Sequence, residues 1–346
     1  MEKLKVGIAG YGVVGKRRHQ YIDAHPKMKV VAVCDQAFPE KSVDEKGMLC
    51  FTNYHDLLKE KLDILFVCLP NDIAAEVTIA GLNHNMHVFC EKPPGRNVED
   101  IRNVIEVEKK YPNLKLKYGF NHRYHDSVRL ALETIKSGEL GSVINVRGVY
   151  GKSRIISFAG GWRSDRDVAG GGILLDQGIH MVDLMRLFCG EFVEVKSFID
   201  NSYWKHDIED NAYAIMKDTK GRVAMLHSTA TQWQHRFVMD IALSEGYMEL
   251  HGILSGSKSY GEEKLIIGHR DDESMNGQME SRTVNFLTDN SWKDEIFEFA
   301  DAVTENKPIL SGTSNDALET MKLVYSIYYN DEAWRNKYNI PNPNTK

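Results

Sequence analysis

The sequence predicts an α/β protein of two domains: a doubly wound parallel sheet, then an α/β domain with an open, mostly antiparallel sheet. Three observations carry this. The first third alternates apolar, strand-like runs with helical stretches, as a parallel sheet with helical crossovers does. After about Gly138 strands dominate, with one intervening helix, and several alternate apolar and polar residues, as in Val193-Glu194-Val195-Lys196. That alternation suits an antiparallel sheet covered on one face. The length, 346 residues, fits about two domains and a large core. The expected division is 1–122 and 123–346, with the terminal helix able to pack back on the first domain.

In order, Lys5 to Ala9 is a short strand, followed by a glycine turn and a helix from Val13 to His25. A second strand, Lys29 to Cys34, ends at Asp35. Leu49 to Phe51 forms a short strand and Tyr54 to Glu60 a helix. Asp63 to Leu69 is a buried strand stopped by Pro70, and Asn71 or Asp72 can cap the helix carrying Ile73, Val77 and Ala80. A strand at His87 to Cys90 ends at Glu91, and Asn97 caps a helix with Val98, Ile101 and Ile105 on one face. The sixth strand, Leu114 to Phe120, ends at Asn121. A helix carrying Val128, Leu132 and Ile135 stops at Ser137-Gly138. The later strands are Val143 to Tyr150, Phe192 to Ile199, Ala212 to Lys217, Val223 to Ala230, Phe237 to Leu243 and Met248 to His251. A helix from about Gly172 to Phe188 interrupts them and stops at Gly190. The polar, glycine-rich stretch Ser255 to Glu280 reads as a hairpin or a mobile loop. Two helices close the chain, one with Trp292, Ile296, Phe299 and Val303, the other with Ala317, Met321, Val324 and Tyr328. The Asn- and Pro-rich tail from Tyr338 is expected to fray.

The bulk properties exclude several function classes. A net charge of −6 without a long basic run argues against a nucleic-acid partner. No apolar stretch approaches the roughly 18 residues of a membrane span. The N-terminus has no signal-peptide pattern, and the five scattered cysteines lack C-x-x-C spacing, so a cytoplasmic protein with buried, reduced thiols is expected.

The turn Gly10-Tyr11-Gly12-Val13-Val14-Gly15 is G-x-G-x-x-G between a strand and a helix. In a dinucleotide site Gly10 permits the tight turn, Gly12 the approach of a pyrophosphate, and Gly15 close packing of helix on strand. The helix N-terminus offers free N–H groups and partial positive charge to the phosphates. Asp35 can accept from the adenosine ribose hydroxyls and would repel a 2′-phosphate, so NAD is expected over NADP. Lys16, Arg17 and Arg18 are the residues that could oppose this preference. The alternative is a plain strand–turn–helix. In doubly wound sheets ligands bind outside the carboxyl ends of the strands, where Tyr11, Pro70, Asn71, Glu91, Lys92, Asn121 and Arg123 fall.

Two clusters suit chemistry. In Glu91-Lys92-Pro93-Pro94, a lysine beside a nicotinamide could bond a substrate hydroxyl and stabilise charge developing on its oxygen; otherwise it is a solvated surface turn. In Gly170-Gly171-Gly172, followed by Asp176, His180 and Asp183, the spacing of four puts Asp176 and His180 on one helix face. Asp176 can orient the imidazole or hold a sugar hydroxyl, and His180 can take a proton from an alcohol as hydride leaves the carbon. The competing readings are an ordinary helix-face hydrogen bond and a metal site of Asp176, His180 and Asp183; no metal is expected, since no second histidine stands at ligand spacing. Trp162, Arg163 and Arg166 could bind an anionic or sugar portion of a substrate, and Trp233 and His235 could cap a pocket, or merely pack.

Together these stretches resemble the Gfo/Idh/MocA oxidoreductases, the glucose–fructose oxidoreductase and inositol dehydrogenase family. The resemblance rests on the glycine turn, Leu69-Pro70-Asn71, Glu91-Lys92-Pro93, Asn121-His122-Arg123, and the glycine triplet leading to Asp176 and His180. It covers nearly the whole chain in order. It implies a Rossmann domain ahead of the antiparallel one, and a catalytic trio of Lys92, Asp176 and His180. Gly10, Tyr11, Gly12, Val13, Val14, Gly15, Asp35, Leu69, Pro70, Asn71, Glu91 and Lys92 would face the cofactor. Asn121, Arg123, Trp162 and Arg163 would face the substrate. It further implies a cis peptide before Pro93 and a homodimer or homotetramer through open sheet faces. One departure stands out: many relatives carry a histidine after the Pro-Asn, where this chain has Ile73-Ala74-Ala75. The expected activity is NAD(P)-dependent hydride transfer at a ring hydroxyl of a sugar, inositol or nucleotide sugar. The alternatives are a glycosidase or epimerase that oxidises its substrate transiently, and a non-catalytic dinucleotide-binding regulator.

Overall fold

The computed structural model describes residues 3–45, 47–154, 161–255, 260–270 and 279–345. The chain divides into two compact units, one of Met1–Asn121, Asp167–Gly170 and Trp292–Leu318, the other of His122–Arg166, Gly171–Ser291 and Glu319–Lys346.

The first unit opens with β1 (Leu4–Ala9), α1 (Val13–Ala24), β2 (Met28–Cys34), β3 (Ser42–Val43), β4 (Leu49–Phe51), α2 (Tyr54–Leu57) and β5 (Ile64–Val67). It continues with α3 (Asn71–Asn83), β6 (His87–Glu91), α4 (Val98–Glu108) and β7 (Leu116–Gly119). The strands form one sheet in the order β3-β4-β2-β1-β5-β6-β7, parallel throughout except for the β3–β4 pair. The six strands expected are present; β3 adds a seventh at the edge, too short to show periodicity. Buried Val6, Ile8, Val30, Ile64, Phe66 and Phe89 pack with Ile22 of α1 and with Ile296 and Phe299, as apolar strands covered by helices must.

Local expectations meet two corrections in this unit. The helix at Tyr54 stops after Leu57, because Lys59 and Glu60 donate to carbonyls three residues back and tighten the last turn. Neither Asn71 nor Asp72 caps α3: the capping position is Pro70, and Asn71 sends its amide to the Ala169 carbonyl at 2.7 Å instead. Asn97 caps α4 as expected, accepting from Glu99 and Asp100 N–H.

The rest of the chain forms α5 (Asp126–Ser137), β8 (Val143–Ser153), α6 (Arg166–Ala169), a π-helical turn (Leu174–Gly178) and α7 (Ile179–Cys189). Then come β9 (Phe192–Asp200), β10 (Asn211–Asp218), β11 (Val223–Gln232), β12 (Arg236–Leu243), β13 (Gly246–His251), β14 (Glu263–Arg270) and β15 (Met279–Phe286). Helices α8 (Ser291–Thr304), α9 (Ser314–Asn330) and α10 (Glu332–Tyr338) close the chain. The second sheet runs β15-β14-β13-β12-β8-β11-β10-β9, antiparallel except where β8 and β11 pair in parallel. The apolar helix α7 is buried along its length, and Met181 and Met185 fill the space over Gly148 of β8. The face that carries Phe198, Tyr213, Ile215 and Met225 is exposed.

Between Ser255 and Glu280, β14 and the start of β15 pair as a hairpin, while residues 256–259 and 271–278 of that stretch lie outside the described residues. The C-terminus needs correcting twice. A third helix, α10, follows the expected pair, with Asp331 accepting from Trp334 N–H at its cap. The tail does not peel away up to Ile340, which is buried and donates its N–H to the Arg335 carbonyl. Of the five cysteines, Cys34, Cys50, Cys90 and Cys189 are buried and Cys68 only half-buried, and all are free thiols.

Candidate active site

In the first unit, strand β1 lies between β2 and β5, so the helices after β1 and β5 leave the sheet on either side of a switch point. There the three glycines have separable constraints. Gly10 holds φ at +91°, where a side chain is strained, and a Cβ on it would lie 2.2 Å from the Cys68 carbonyl oxygen. A Cβ on Gly15 would lie 2.0 Å from the Gly10 carbonyl oxygen. Gly12 has nothing within 4 Å of that position. It is the N-cap of α1 with no side-chain cap, so the first N–H groups of the helix face an open cradle. Val13 beside it is 78% exposed, an apolar side chain at the rim. Asp35 accepts from Tyr11 N–H at 2.9 Å and from Ala37 N–H at 3.0 Å, which fixes its carboxylate at the end of β2. Lone pairs remain on both oxygens for a ribose. These residues fit a dinucleotide.

The three basic residues after the turn are differently engaged. Arg18 is fully buried, with its Nε 2.5 Å from Glu91 and an Nη 2.7 Å from Glu295, between the rings of Phe89 and Trp292. Arg17 lies 4.9 Å over Trp292, and Lys16 5.9 Å over the Tyr11 ring. Burial pushes the Glu295 carboxyl up to about 7 despite the attraction of Arg18 and Lys117. The sequence carries no signal for Glu295, which stands more than two hundred residues beyond Glu91. Lys92 follows Glu91 at the carboxyl end of β6, half-buried, and the Lys92–Pro93 peptide is cis. Leu69 and Pro70 stand half-buried between β5 and α3, and Asn121 is buried past β7.

In the second unit, Asp176 and His180 are not on one regular α-helix: Asp176 sits in the π-helical turn and His180 in the first turn of α7. The wider π turn alters the angle that a spacing of four gives in an α-helix. Buried Glu209 anchors this segment. Its carboxylate accepts from Gly172 N–H at 2.7 Å, Leu174 N–H at 2.9 Å and the Tyr328 hydroxyl at 2.7 Å. A Cβ on Gly172 would meet the Glu209 carbonyl oxygen at 2.1 Å, so the glycine lets the two backbones touch. Asp176 Oδ1 is 3.6 Å from Arg163 Nε.

His180 is 5% exposed and stacks on His122, with ring centroids 3.7 Å apart and planes 13° apart. His122 Nε2 is 3.2 Å from the Tyr150 hydroxyl, and Tyr260 donates to Gln177 Oε1 at 3.0 Å. Burial raises both tyrosines, Tyr260 to about 12, so they are neutral hydrogen-bonding groups at ordinary pH. His122 could have been suspected from its place in Asn-His-Arg; Tyr150 and Tyr260 have no local signature.

Other expected residues have different surroundings. Arg123 forks onto Asp183 at 2.7 and 2.6 Å, both groups buried, and Thr320 adds a bond to the same carboxylate. Asp183 is thereby committed to a guanidinium, which counts against the metal set that included it. Among the described residues, no group of three or more His, Cys, Asp or Glu is arranged to hold a metal ion. Arg166, grouped with Trp162 and Arg163 by sequence, stacks 3.8 Å over Tyr338 of α10. Trp162 and Arg163 form a short 3-10 turn in which the guanidinium lies 4.3 Å over the indole. His235 Nδ1 accepts from Ser153 N–H and its ring lies 4.6 Å from that of Tyr260, while Trp233 is exposed beneath Arg154.

Residues 4–120 match the family described as "Oxidoreductase family, NAD-binding Rossmann fold", and residues 128–252 match the "GFO/IDH/MocA C-terminal domain". The chain belongs to the Gfo/Idh/MocA oxidoreductase family. Its N-terminal sheet is thus the NAD-binding Rossmann domain of that family. The chain is similar to D-glucoside 3-dehydrogenase of Escherichia coli, 33% identical over 219 residues, covering 58% of each protein. It is 28% identical over 213 residues to levoglucosan dehydrogenase of Pseudarthrobacter phenanthrenivorans, covering 58% of this chain and 54% of that one. It is 32% identical over 154 residues to inositol 2-dehydrogenase of Salmonella typhimurium, covering 42% and 45%. The matched stretches thus span about half the length of these relatives. In fold, the chain is like a levoglucosan dehydrogenase in complex with NADH, with a TM-score of 0.81 at 20% identity, covering 96% of this chain and 98% of that one. This likeness shows that the two chains share a fold. No helix among the described residues is long and apolar enough to cross a membrane.

Proposed function

We propose that this Gfo/Idh/MocA chain is an NAD-dependent dehydrogenase acting on a ring hydroxyl of a sugar, an inositol or a nucleotide sugar. The reading is carried by one conjunction: an open dinucleotide cradle at Gly12 in a chain that retains Lys92, Asp176 and His180. The sugar and inositol dehydrogenases among its relatives support the substrate class.

Bound NAD supplies the hydride acceptor. His180 takes the hydroxyl proton on an imidazole nitrogen as the C–H pair leaves as hydride and the carbon–oxygen double bond forms. Lys92 donates to the same oxygen and stabilises the charge that develops there. Asp176 orients the imidazole or holds a neighbouring hydroxyl. The amides at the start of α1 bind the pyrophosphate and Asp35 the ribose. Asn121, Trp162 and Arg163 line the substrate side. Arg123, engaged by Asp183, acts by holding α7 and with it His180.

We further propose a domain boundary at 122/123, a cytoplasmic location, and self-association through the exposed sheet face. That face pairs Phe198 with Tyr213 and Ile215 with Met225 across neighbouring strands, where a solvated sheet would carry polar residues. A second copy would bury it, and a monomer at micromolar concentration in sedimentation would refute this. The activity is tested with a panel of sugars, inositols and nucleotide sugars, following NADH formation. Turnover of a ring alcohol with stoichiometric NADH supports the reading; product formation without net NADH, on cofactor that co-purifies, replaces it with transient oxidation.

A further inference from the structure

We infer that His122 governs the protonation of His180: the two stacked imidazoles share a single positive charge. The functional meaning of this rests on His180 as the proton acceptor proposed above; its test does not.

Both rings are buried, 7% and 5% exposed, and their centroids are 3.7 Å apart. Two charges at that distance, away from water, repel strongly. A like charge disfavours the charged form of its neighbour, so protons bind the pair in two well-separated steps. The first proton divides its time between the rings, and the second enters only at much lower pH. While the proton is on His122, His180 is still a base. A lone histidine in its place would be blocked in proportion to its own protonation. The pair therefore keeps a fraction of chains competent on the acid side.

Several charged groups near the stack are themselves engaged. On the turn that carries His122, Arg123 is tied to Asp183 of α7. At the start of α5, the His125 ring lies 5.4 Å from that of His122, and its Nδ1 lies 2.8 Å from Glu263 on β14. Burial raises Glu263, but bonds from His125, Ser127 and Leu254 outweigh it and hold the carboxyl below its ordinary value. From β8 comes Tyr150, and Tyr260 packs against it; both are pushed upward and uncharged. Strand β12 contributes the Phe237 ring, at 6.1 Å. The π-helical turn contributes Asp176, paired with Arg163.

The test follows His180 by NMR of chain labelled at its histidine rings, from about pH 5 to about pH 9, the range in which histidine titrates. Wild type, His122→Phe and His122→Gln are compared. Phenylalanine keeps a flat ring against His180, and glutamine keeps a polar end for the Tyr150 hydroxyl; neither carries charge. In wild type the His180 signal should move over a curve broader than one proton and stop short of its end point. In both variants it should follow a complete one-proton curve with its midpoint raised by about one pH unit. An identical His180 curve in wild type and His122→Phe overturns the inference. So do independent one-proton curves for the two rings in wild type, which decides the matter even if neither variant folds. His180→Asn assayed with levoglucosan or myo-inositol addresses the other reading: normal hydride transfer there removes His180 as the base and leaves the coupling of the rings standing.

Discussion

Substituting alanine at Gly12 and at Gly15 should separate cofactor binding from folding. At Gly12 the new methyl meets no heavy atom within 4 Å, and the residue has φ of −75°, which any amino acid adopts. Loss of a capping glycine and gain from a stiffer unfolded chain are each below about 1 kcal/mol and opposite in sign, so stability should stay within that range. The same methyl stands where a pyrophosphate must approach the backbone, and NAD affinity should fall at least about tenfold, or about 1.4 kcal/mol. At Gly15 the methyl would lie 2.0 Å from the Gly10 carbonyl oxygen and 3.1 Å from its carbon, both backbone atoms. Relieving that overlap requires α1 to move off β1, which costs about 1–3 kcal/mol by the measure of overpacked cores. Chemical denaturation gives the stabilities, and titration of intrinsic fluorescence with NAD gives the affinities. Gly12→Ala as unstable as Gly15→Ala, or binding NAD as tightly as wild type, would refute the assignment of roles.

Three further outcomes are expected. His180→Asn should lower single-turnover hydride transfer by about 10²–10⁴-fold, the usual share of a positioned base, with Lys92→Ala also strongly impaired and the double mutant non-additive; NAD affinity measured separately should stay near wild type, and its loss would mean that cofactor ligands had been mistaken for catalysts. NAD(H) should bind more tightly than NADP(H), because on the proposed reading Asp35 would face the 2′ position while Arg18 is committed to Glu91 and Glu295 and Arg17 to Trp292; equal affinities in competitive titration would show that Lys16 reaches a 2′-phosphate. The folded chain keeps a proton on Glu295 up to about pH 7, against an ordinary value of 4.5, so it holds more protons than the unfolded chain between those limits. The stability contributed there is present below the lower limit and lost as pH rises through the upper one. Wild type should therefore lose stability relative to Glu295→Gln on going from pH 5 to pH 8 in urea melts, and a constant difference would place the proton elsewhere.

The local chemistry of the first unit was legible because it is written in consecutive residues. A glycine turn between an apolar run and a helix, and an acidic residue just past β2, are local signals that stand where the pattern predicts; β5 ends at Val67, short of the proline expected to stop it, and Pro70 instead caps α3. Strands β8 to β13 of the second unit followed from periodicity for the same reason. Periodicity failed where elements are short or set by distant partners. Two residues of β3 cannot show a period, and α10 depends on a cap at Asp331 and on the burial of Trp334. Asn71 looks like a cap in sequence, yet its amide has a better acceptor at Ala169, nearly a hundred residues on.

By itself, then, the order of residues determined the fold class and the dinucleotide turn, and it singled out Lys92, Asp176 and His180 as candidates for chemistry. Tertiary structure decided what surrounds them. Arg18 could have been a phosphate ligand, but an acid and a ring from each of β6 and α8 enclose it. Arg123 could have faced a substrate, but Asp183 lies against it across sixty residues of chain. Asp176 and His180 stand four apart in sequence, yet the π-helical turn anchored by Glu209 changes how they are presented. The stack of His122 on His180 exists only because a short turn and a helix far apart in the chain pack face to face. Charge, burial and stacking depend on distance in space, and sequence separation carries almost no information about that distance once the chain has folded.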